Sequence, residues 1–393
     1  MKRILVMIVV SLCAATLLVS SAMAATNPTL KFLTNAVYDE VGSFSEGLVW
    51  VKEAGVYKYL DQNGKVIIDL SDNKYTLDRG YKDIVVQDFH EGLAYIEIYN
   101  EEVENPFDRD AYFIDTTGNI SVSLKQVNKK INDKHLSITR FCGPFANTVT
   151  TADCLPQDNG ICIVDKKGNY KFYSSGLVDC HFWFTEKLLC CSSYTEGGGW
   201  GYRDNELNTA IPFTFDDARP FNQGLAPVMK NGIWGFINKS GKVVIKYQFT
   251  DFWVKDSKYT YQVFNDGLAC VQKDGKWGFI NNAGKIVIPF QFAQGSIFAN
   301  GYAAIKNSDD TYSYINKKGK ILFGTKYQDA NSFTKKGIAL VSSKGVYKLI
   351  NDKGTKVSKE TWKFESTMMS AEYPNTVFYK KDSKWGIAKI IGE

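Results

Sequence analysis

The sequence predicts an all-β protein, a tandem array of eight to nine short antiparallel units, each a three-stranded meander, stacked into a curved solenoid. Three observations predict it. Aromatic residues make up 14% of the 393 residues, with 32 glycines and only 9 prolines, the composition of many short strands and turns. Runs of about five strand-forming residues alternate with glycine-containing turns. The same pattern then recurs along the chain, and the turn glycines Gly241, Gly284, Gly319 and Gly354 are 43, 35 and 35 residues apart, a true internal period. Closure into a β-propeller is the alternative. Spacings of 34 to 56 between unit-leading phenylalanines (Phe264 to Phe298, Phe89 to Phe145) argue for the open form.

The clearest unit is Asp266 to Phe292. Leu268 to Gln272 is a strand with Leu268 and Cys270 on one face and Ala269 and Val271 on the other. Asp274-Gly275 predicts a two-residue hairpin turn, since a type I′ turn needs positive φ at both positions. Trp277-Gly278-Phe279-Ile280-Asn281 returns, Asn282-Ala283-Gly284 turns again, and Ile286-Val287-Ile288 is a third strand that Pro289 is expected to end. A unit this small cannot bury both faces alone and needs a neighbour on each side. Trp277 and Phe279 are the natural anchors, each worth ~2–3 kcal/mol when buried. Gly278 leaves room beside the indole for another ring or backbone.

In chain order, residues 1–24 read as a signal peptide: Lys2 and Arg3, an apolar run from Ile4 to Ser20, and small residues at Ala22-Met23-Ala24. The mature chain is expected to be exported, with no lipid anchor and no transmembrane segment, in the periplasm, at the cell surface or secreted. Residues 25–220 hold degenerate units, rich in cysteine between 142 and 191, and 221–393 hold well-formed units with a truncated last one. Two marks track them: Phe-x-x-Gly-Leu-Ala, and aromatic-x-aromatic-Ile-Asn-x-x-Gly-Lys behind it. The second mark places the turn glycines at Gly64, Gly118, Gly168, Gly241, Gly284, Gly319 and Gly354, with Gly235 and Gly278 in the Trp-Gly pairs. Leu207 stands where the fourth unit should have its glycine, and the chain stops inside a ninth unit at Lys384-Trp385-Gly386-Ile387.

The combined pattern Phe-x-x-Gly-Leu-Ala…Gly-x-Trp-Gly-Phe-Ile-Asn-x-x-Gly-Lys-x-Val-Ile resembles the bacterial WG-repeat (KWG) family over nearly the whole mature chain, most closely from 221 to 292. Trp-Gly itself stands at Trp200, Trp234, Trp277 and Trp385, and Tyr57, Tyr312 and Tyr347 replace the tryptophan elsewhere. The resemblance implies a repeat scaffold and transfers no catalytic residue. The spacing from Gly55 to Gly64 also resembles that of choline-binding wall repeats.

Chemistry-bearing residues are sparse. His90, His135 and His181 fall in three different units, poor material for a triad or a zinc site. Six cysteines lie between 142 and 191: Cys142, Cys154, Cys162, Cys180, Cys190 and Cys191. In an exported protein they suggest disulfides replacing packing that the eroded units lost, with no pairing fixed by the spacing. Cys270 is left as an odd buried thiol. Glu196-Gly197-Gly198-Gly199 reads as a flexible loop, and no phosphate loop or nucleophile motif is present. No cofactor, metal or nucleic acid is expected. Residues 39–110 carry 17 acidic and 7 basic side chains, and residues 306–363 carry 13 lysines and 5 acidic side chains, which would make an open array a dipole along its length.

The functional expectation is therefore an exported, non-catalytic binding or scaffold protein working through protein–protein contacts at the cell envelope or exterior. One alternative is a wall or glycan binder with Trp200, Trp234, Trp277 and Trp385 as a stacking ladder. Another is an enzyme with its site in the irregular 92–215 region.

Overall fold

The structure is a computed structural model that describes residues 27–71, 75, 83–99, 109–131, 137–141, 149–155, 160–174, 177–193, 195–252, 255–257, 260–370 and 373–392. The segment read as a signal peptide lies outside the described residues. Among them, nine successive antiparallel sheets span 40–69, 83–123, 137–174, 177–215, 217–249, 251–292, 302–316, 329–363 and 366–391. They are numbered first to ninth below. The usual unit has four strands, not three: a short strand precedes the predicted meander, as Asp251–Phe252 precedes Leu268–Lys273, Lys276–Asn281 and Ile286–Phe292 in the sixth sheet, while the seventh shows only Tyr302–Lys306 and Tyr312–Asn316 among the described residues.

The array is a closed, propeller-like ring, the alternative form and not the open solenoid. The strand Thr29–Phe32 pairs antiparallel with Lys384–Ile391, Thr29 opposite Ile391 and Phe32 opposite Ala388. The unit that looked truncated is thus completed from the other end of the chain. Both flanks of this ninth sheet are covered. Val377, Tyr379 and Ile390 pack on Ile338, Leu340 and Leu349 of the eighth, and Phe378 and Ile387 pack on Phe44, Val49 and Leu60 of the first. Similar clusters join first to second, second to third, and fourth through eighth in turn. The third and fourth sheets meet where Val149–Leu155 runs beside Leu177–Thr185 with Cα atoms within 8 Å. Unequal repeat lengths do not prevent closure because insertions leave the sheets alone. The 43-residue step from Phe221 to Phe264 contains an extra hairpin, Lys255–Ser257 with Thr260–Gln262, outside the ring sheets.

Within the sixth sheet the two faces separate as the alternation requires. Ala269, Val271 and Ile280 join the cluster facing the fifth sheet, while Leu268, Cys270, Trp277 and Phe279 face the seventh. Asp274 and Gly275 have φ of 51° and 71°, the expected hairpin turn. Pro289 does not end the strand, which runs on to Phe292. That strand is an edge, so a missing N–H breaks no ladder bond.

The repeat marks turn out to be inter-sheet joints. At five joints the leading phenylalanine of a unit meets the second aromatic of the preceding one edge to face or tilted: Tyr59–Phe89 at 4.9 Å, Tyr202–Phe221 at 4.9 Å, Phe236–Phe264 at 5.6 Å, Phe279–Phe298 at 4.9 Å and Tyr314–Phe333 at 4.6 Å between ring centroids. Where that aromatic is tyrosine its hydroxyl donates to the carbonyl two residues before the phenylalanine, from Tyr59 to Gln87 and Tyr202 to Arg219 at 2.7 Å, and from Tyr314 to Asn331 at 2.5 Å. Removing one such hydroxyl leaves a carbonyl without its donor. Tyr202→Phe is expected to cost about 1–2 kcal/mol in urea unfolding, whereas Phe236→Tyr, which has no matching history of a hydroxyl there, tests whether one can be added.

The seven turn glycines have φ between 72° and 85°, and most press on an aliphatic side chain of the preceding sheet. A Cβ on Gly284 would lie 2.9 Å from Ile245, and one on Gly319 2.8 Å from Ile288. Gly284→Ala is therefore expected to destabilise by about 1–3 kcal/mol, read from the urea midpoint. The Trp-Gly glycines serve the close approach predicted for Gly278: a Cβ there would sit 2.8 Å from the Ile288 carbonyl, and one on Gly235 2.8 Å from that of Ile245. Leu207 itself takes φ 64° and is wholly buried.

One helix, Leu124–Lys130, went unpredicted. Ser123 and Gln126 form a capping box, and Val127 enters the cluster between second and third sheets.

Candidate functional site

The segments joining first to second strands converge at one end of the ring. Residues 265–266, 297–300, 330–333, 335, 369–370 and 374, in or beside the sixth to ninth sheets, line an opening of about 500 Å³. Four successive units contribute these segments, so the opening is a mouth shared between neighbouring sheets. Two of them contribute a tight turn, Asp266-Gly267 and Asn300-Gly301, with φ of 51°, 78°, 53° and 89°. The residue before the glycine reaches the next unit. Asp266 accepts from the Gly301 amide at 2.6 Å, Asn300 donates to the Phe333 carbonyl at 2.7 Å, and Gln223 donates to that of Phe264 at 3.0 Å. Asn331 bridges the eighth and ninth sheets by donating to Thr367 Oγ1 at 2.8 Å.

Phe298 and Phe333 floor the mouth, and Asp266, Ser332 and Lys335 are its exposed polar groups. Among its lining residues there is one carboxylate, Asp266, and one amine, Lys335. With Asp266 engaged by Gly301, the mouth offers recognition groups and not a proton-transfer pair.

A second cleft of about 470 Å³ opens on the fourth sheet, between the glycine loop and strand Thr209–Phe215, lined by Ser192, Ser193, Trp200, Asp216 and Lys230 among others. The glycine loop is packed, contrary to its flexible reading. A Cβ on Gly197 would meet the Phe213 carbonyl at 2.6 Å, and one on Gly199 that of Phe215 at 2.6 Å. Glu196 holds the fully buried Arg203 at 2.5 Å, and Arg203 also donates to the Leu207 carbonyl at 2.9 Å and lies 5.0 Å over the Phe213 ring.

The four Trp-Gly indoles do not form a ladder. Trp234 is 5% and Trp277 8% exposed; Trp234 meets Phe252 edge to face at 4.8 Å and Trp277 lies in the cluster with Phe298 and Ile305. Neither has a face on which a sugar ring could stack. Trp200 and Trp385 are half-buried, Trp200 lining the cleft and Trp385 on the ninth sheet beneath Lys380 at 5.8 Å.

The disulfide expectation fails at Cys190 and Cys191, which are free buried thiols. As neighbours on one strand they point to opposite faces, Cys190 into the cluster shared with the fifth sheet. Burial pushes the Cys191 thiol up to about 12 despite nearby Arg203, and Cys190 well above its ordinary value. Cys270 is also a free buried thiol, raised by burial to about 12. Such thiols stay protonated near neutrality and are poor nucleophiles. Cys162 is buried against Phe113 and Val127. Cys142, His135 and the side chains of Cys154, Cys180 and His181 lie outside the described residues. His90 sits half-buried in a turn. Among the described residues, no group of three or more histidine, cysteine, aspartate or glutamate side chains is placed to hold a metal ion, and no helix is long and apolar enough to cross a membrane.

At the turns between third and fourth strands, a single side-chain oxygen accepts two backbone amides. Asp61 accepts from Asn63 at 2.8 Å and Lys65 at 2.9 Å, and Asn281 accepts from Ala283 at 3.0 Å and Lys285 at 2.9 Å. Burial raises the Asp61, Asp115 and Asp165 carboxyls, but the turn donors outweigh it and hold all three below the ordinary value. A depressed folded-state pKa stabilises fully above the unfolded value of about 3.9 and is lost as pH falls through the folded one. The triple variant Asp61→Asn, Asp115→Asn, Asp165→Asn is therefore expected to lose less stability than the parent between pH 6 and pH 3, read as the shift in urea midpoint.

Five segments, 27–57, 200–232, 234–277, 277–310 and 312–347, match the family described as WG containing repeat. This is a WG-repeat protein. Comparison with curated proteins finds no match. Among solved structures, the WG-repeat ring is similar to that of a eukaryotic initiation factor, with a TM-score of 0.52 at 11% identity over 84% of this chain and 89% of that one. BamB from Moraxella catarrhalis aligns with a TM-score of 0.43 at 10% identity over 93% of this chain and 99% of that one. Identities this low speak to fold alone. The family segments end and begin at or near Trp200, Trp234 and Trp277, the residues that join one sheet to the next.

The mouth residues were missed in the sequence. Part of their signal was present in the two variable positions of Phe-x-x-Gly, at Asn265, Asp266, Ala299 and Asn300, whereas Ser332 precedes its phenylalanine and lies outside the pattern.

Proposed function

We propose that this WG-repeat protein is an exported, non-catalytic binding scaffold of the cell envelope or exterior, and that it takes a protein partner at the mouth. The observation carrying this reading is the opening lined by four successive units, with Asp266, Ser332 and Lys335 exposed around an apolar floor. A rigid ring presenting variable turn residues over such a floor suits recognition of a polypeptide segment. The buried, high-pKa thiols give the region from 92 to 215 no ready cysteine nucleophile at Cys190 or Cys191, which weighs against the enzyme reading. The buried Trp234 and Trp277 weigh against the glycan ladder.

A photo-crosslinking residue at position 332 tests the site, with one at 274, in a turn between second and third strands at the opposite end of the ring, as control. Discrete adducts from 332 and none from 274 are expected in the native host. Equal labelling from both positions, or none from 332, would contradict the assignment.

A further inference from the structure

The turns between third and fourth strands change character halfway round the ring. In the first four sheets the residue that accepts the two amides is Asp61, Asp115, Asp165 or Asp204; in the fifth to eighth it is Asn238, Asn281, Asn316 or Asn351. Their geometry is the same, with Asp204 accepting from Glu206 and Asn208 at 2.8 and 2.9 Å and Asn316 from Lys318 and Lys320 at 2.9 and 3.1 Å. The fold therefore does not require the switch, since a carboxylate is the stronger acceptor. What the switch changes is charge. The seven-residue segments starting at the asparagines (238–244, 281–287, 316–322, 351–357) hold eight lysines and one aspartate, net +7. The matching segments starting at the aspartates (61–67, 115–121, 165–171, 204–210) hold four lysines and five acidic residues, net −1.

All eight lysines are exposed. Lys239 pairs with Glu186, and Lys317 lies 4.0 Å from Asp266. Lys242, Lys285, Lys318, Lys320 and Lys353 form no ion pair among the described residues. These turns lie at one end of the ring, because the sheets are meanders of the same sense and each turn glycine lies against the segment that follows the preceding turn: Gly284 on Ile245, Gly319 on Ile288 and Gly354 on Phe323. Directly after the lysines stand exposed aliphatics, Val243, Val244, Ile286, Val287 and Ile321, each 37–51% accessible.

We propose that this half-rim is a docking surface for an anionic lipid bilayer. A row of unpaired lysines at one end of a rigid ring matches a flat anionic surface, and the neighbouring aliphatics suit the headgroup–acyl boundary. Lysines also protect edge strands, but that role leaves the four successive asparagines in place of aspartate without a reason. The rim borders the mouth, Lys317 donating to the Asp266 carbonyl at 2.7 Å, but the vesicle test reads lipid binding and the crosslinking test reads a protein partner, so the two assignments fail separately.

The test is co-sedimentation of the mature chain with vesicles of phosphatidylglycerol and phosphatidylcholine, beside pure phosphatidylcholine. The quadruple variant Asn238→Asp, Asn281→Asp, Asn316→Asp, Asn351→Asp keeps the turn acceptors and lowers the arc from +7 to +3. Binding only to anionic vesicles, weakened by salt and falling on the order of a hundredfold in the variant, is expected. Should the variant misfold by circular dichroism, Lys242→Gln, Lys285→Gln, Lys320→Gln gives the same reading from the exposed surface. No vesicle binding, equal binding to neutral vesicles, undiminished binding by the folded variant, or binding to soluble polyphosphate alone would overturn the proposal.

Discussion

Truncation after residue 220 is expected to abolish the folded state and not to leave half of it. In an open solenoid the remaining units would still stack, because each depends only on its neighbours. In the ring, the cut strips the fourth sheet of the fifth, exposing Cys190, Tyr202 and Ile211, and strips the first of the ninth, exposing Val49, Val51 and Leu60. It also removes Lys384–Ile391, leaving Thr29–Phe32 with no partner. Each sheet is too thin to hold a face without cover. Far-UV circular dichroism of the 25–220 fragment should show no cooperative urea transition. A fragment retaining about half the native signal and unfolding cooperatively would return the array to the open form.

Trp277→Ala should cost about 3–5 kcal/mol, far more than the same change at the half-buried Trp385. Its indole is buried at the joint between sixth and seventh sheets, against Phe298, Ala303 and Ile305, and Gly278 leaves no adjacent side chain to fill the void. Loss on this scale in one joint lowers the cooperative stability of the whole ring. Trp385→Ala, at a half-buried indole, should cost under about 2 kcal/mol. Urea unfolding of the two variants decides it, and equal losses would remove the case for Trp277 as a structural anchor.

Much of a single unit was legible in the sequence because its determinants are local. Alternation placed Ala269 and Val271 opposite Leu268 and Cys270, and Asp274-Gly275 declared its turn. Closure was less legible because it depends on residues at opposite ends of the chain. One loose end pointed to it, a last unit that looked truncated; Thr29–Phe32, the strand that completes it, carries no repeat mark. Closure also corrects the electrical picture. The acidic stretch 39–110 and the basic stretch 306–363 do not mark the ends of a rod, since the ninth sheet packs on the first and eighth, and Lys384 pairs with Asp39 across the join. The mouth was illegible for a different reason. Repeat analysis prizes invariant positions, while the mouth is built partly from the variable ones beside them.

Hydrogen exchange of residues 27–34 tests closure most directly. In the ring, Leu33 and Thr34 donate to the Ile387 carbonyl at 2.8 and 3.2 Å, and Thr29–Phe32 is laddered to Lys384–Ile391. The laddered amides of this segment should exchange as slowly as those of 384–391, with both released together as denaturant is raised. Exchange of 27–34 at the rate of an unstructured peptide, with the remaining sheets still protected, would contradict a closed ring.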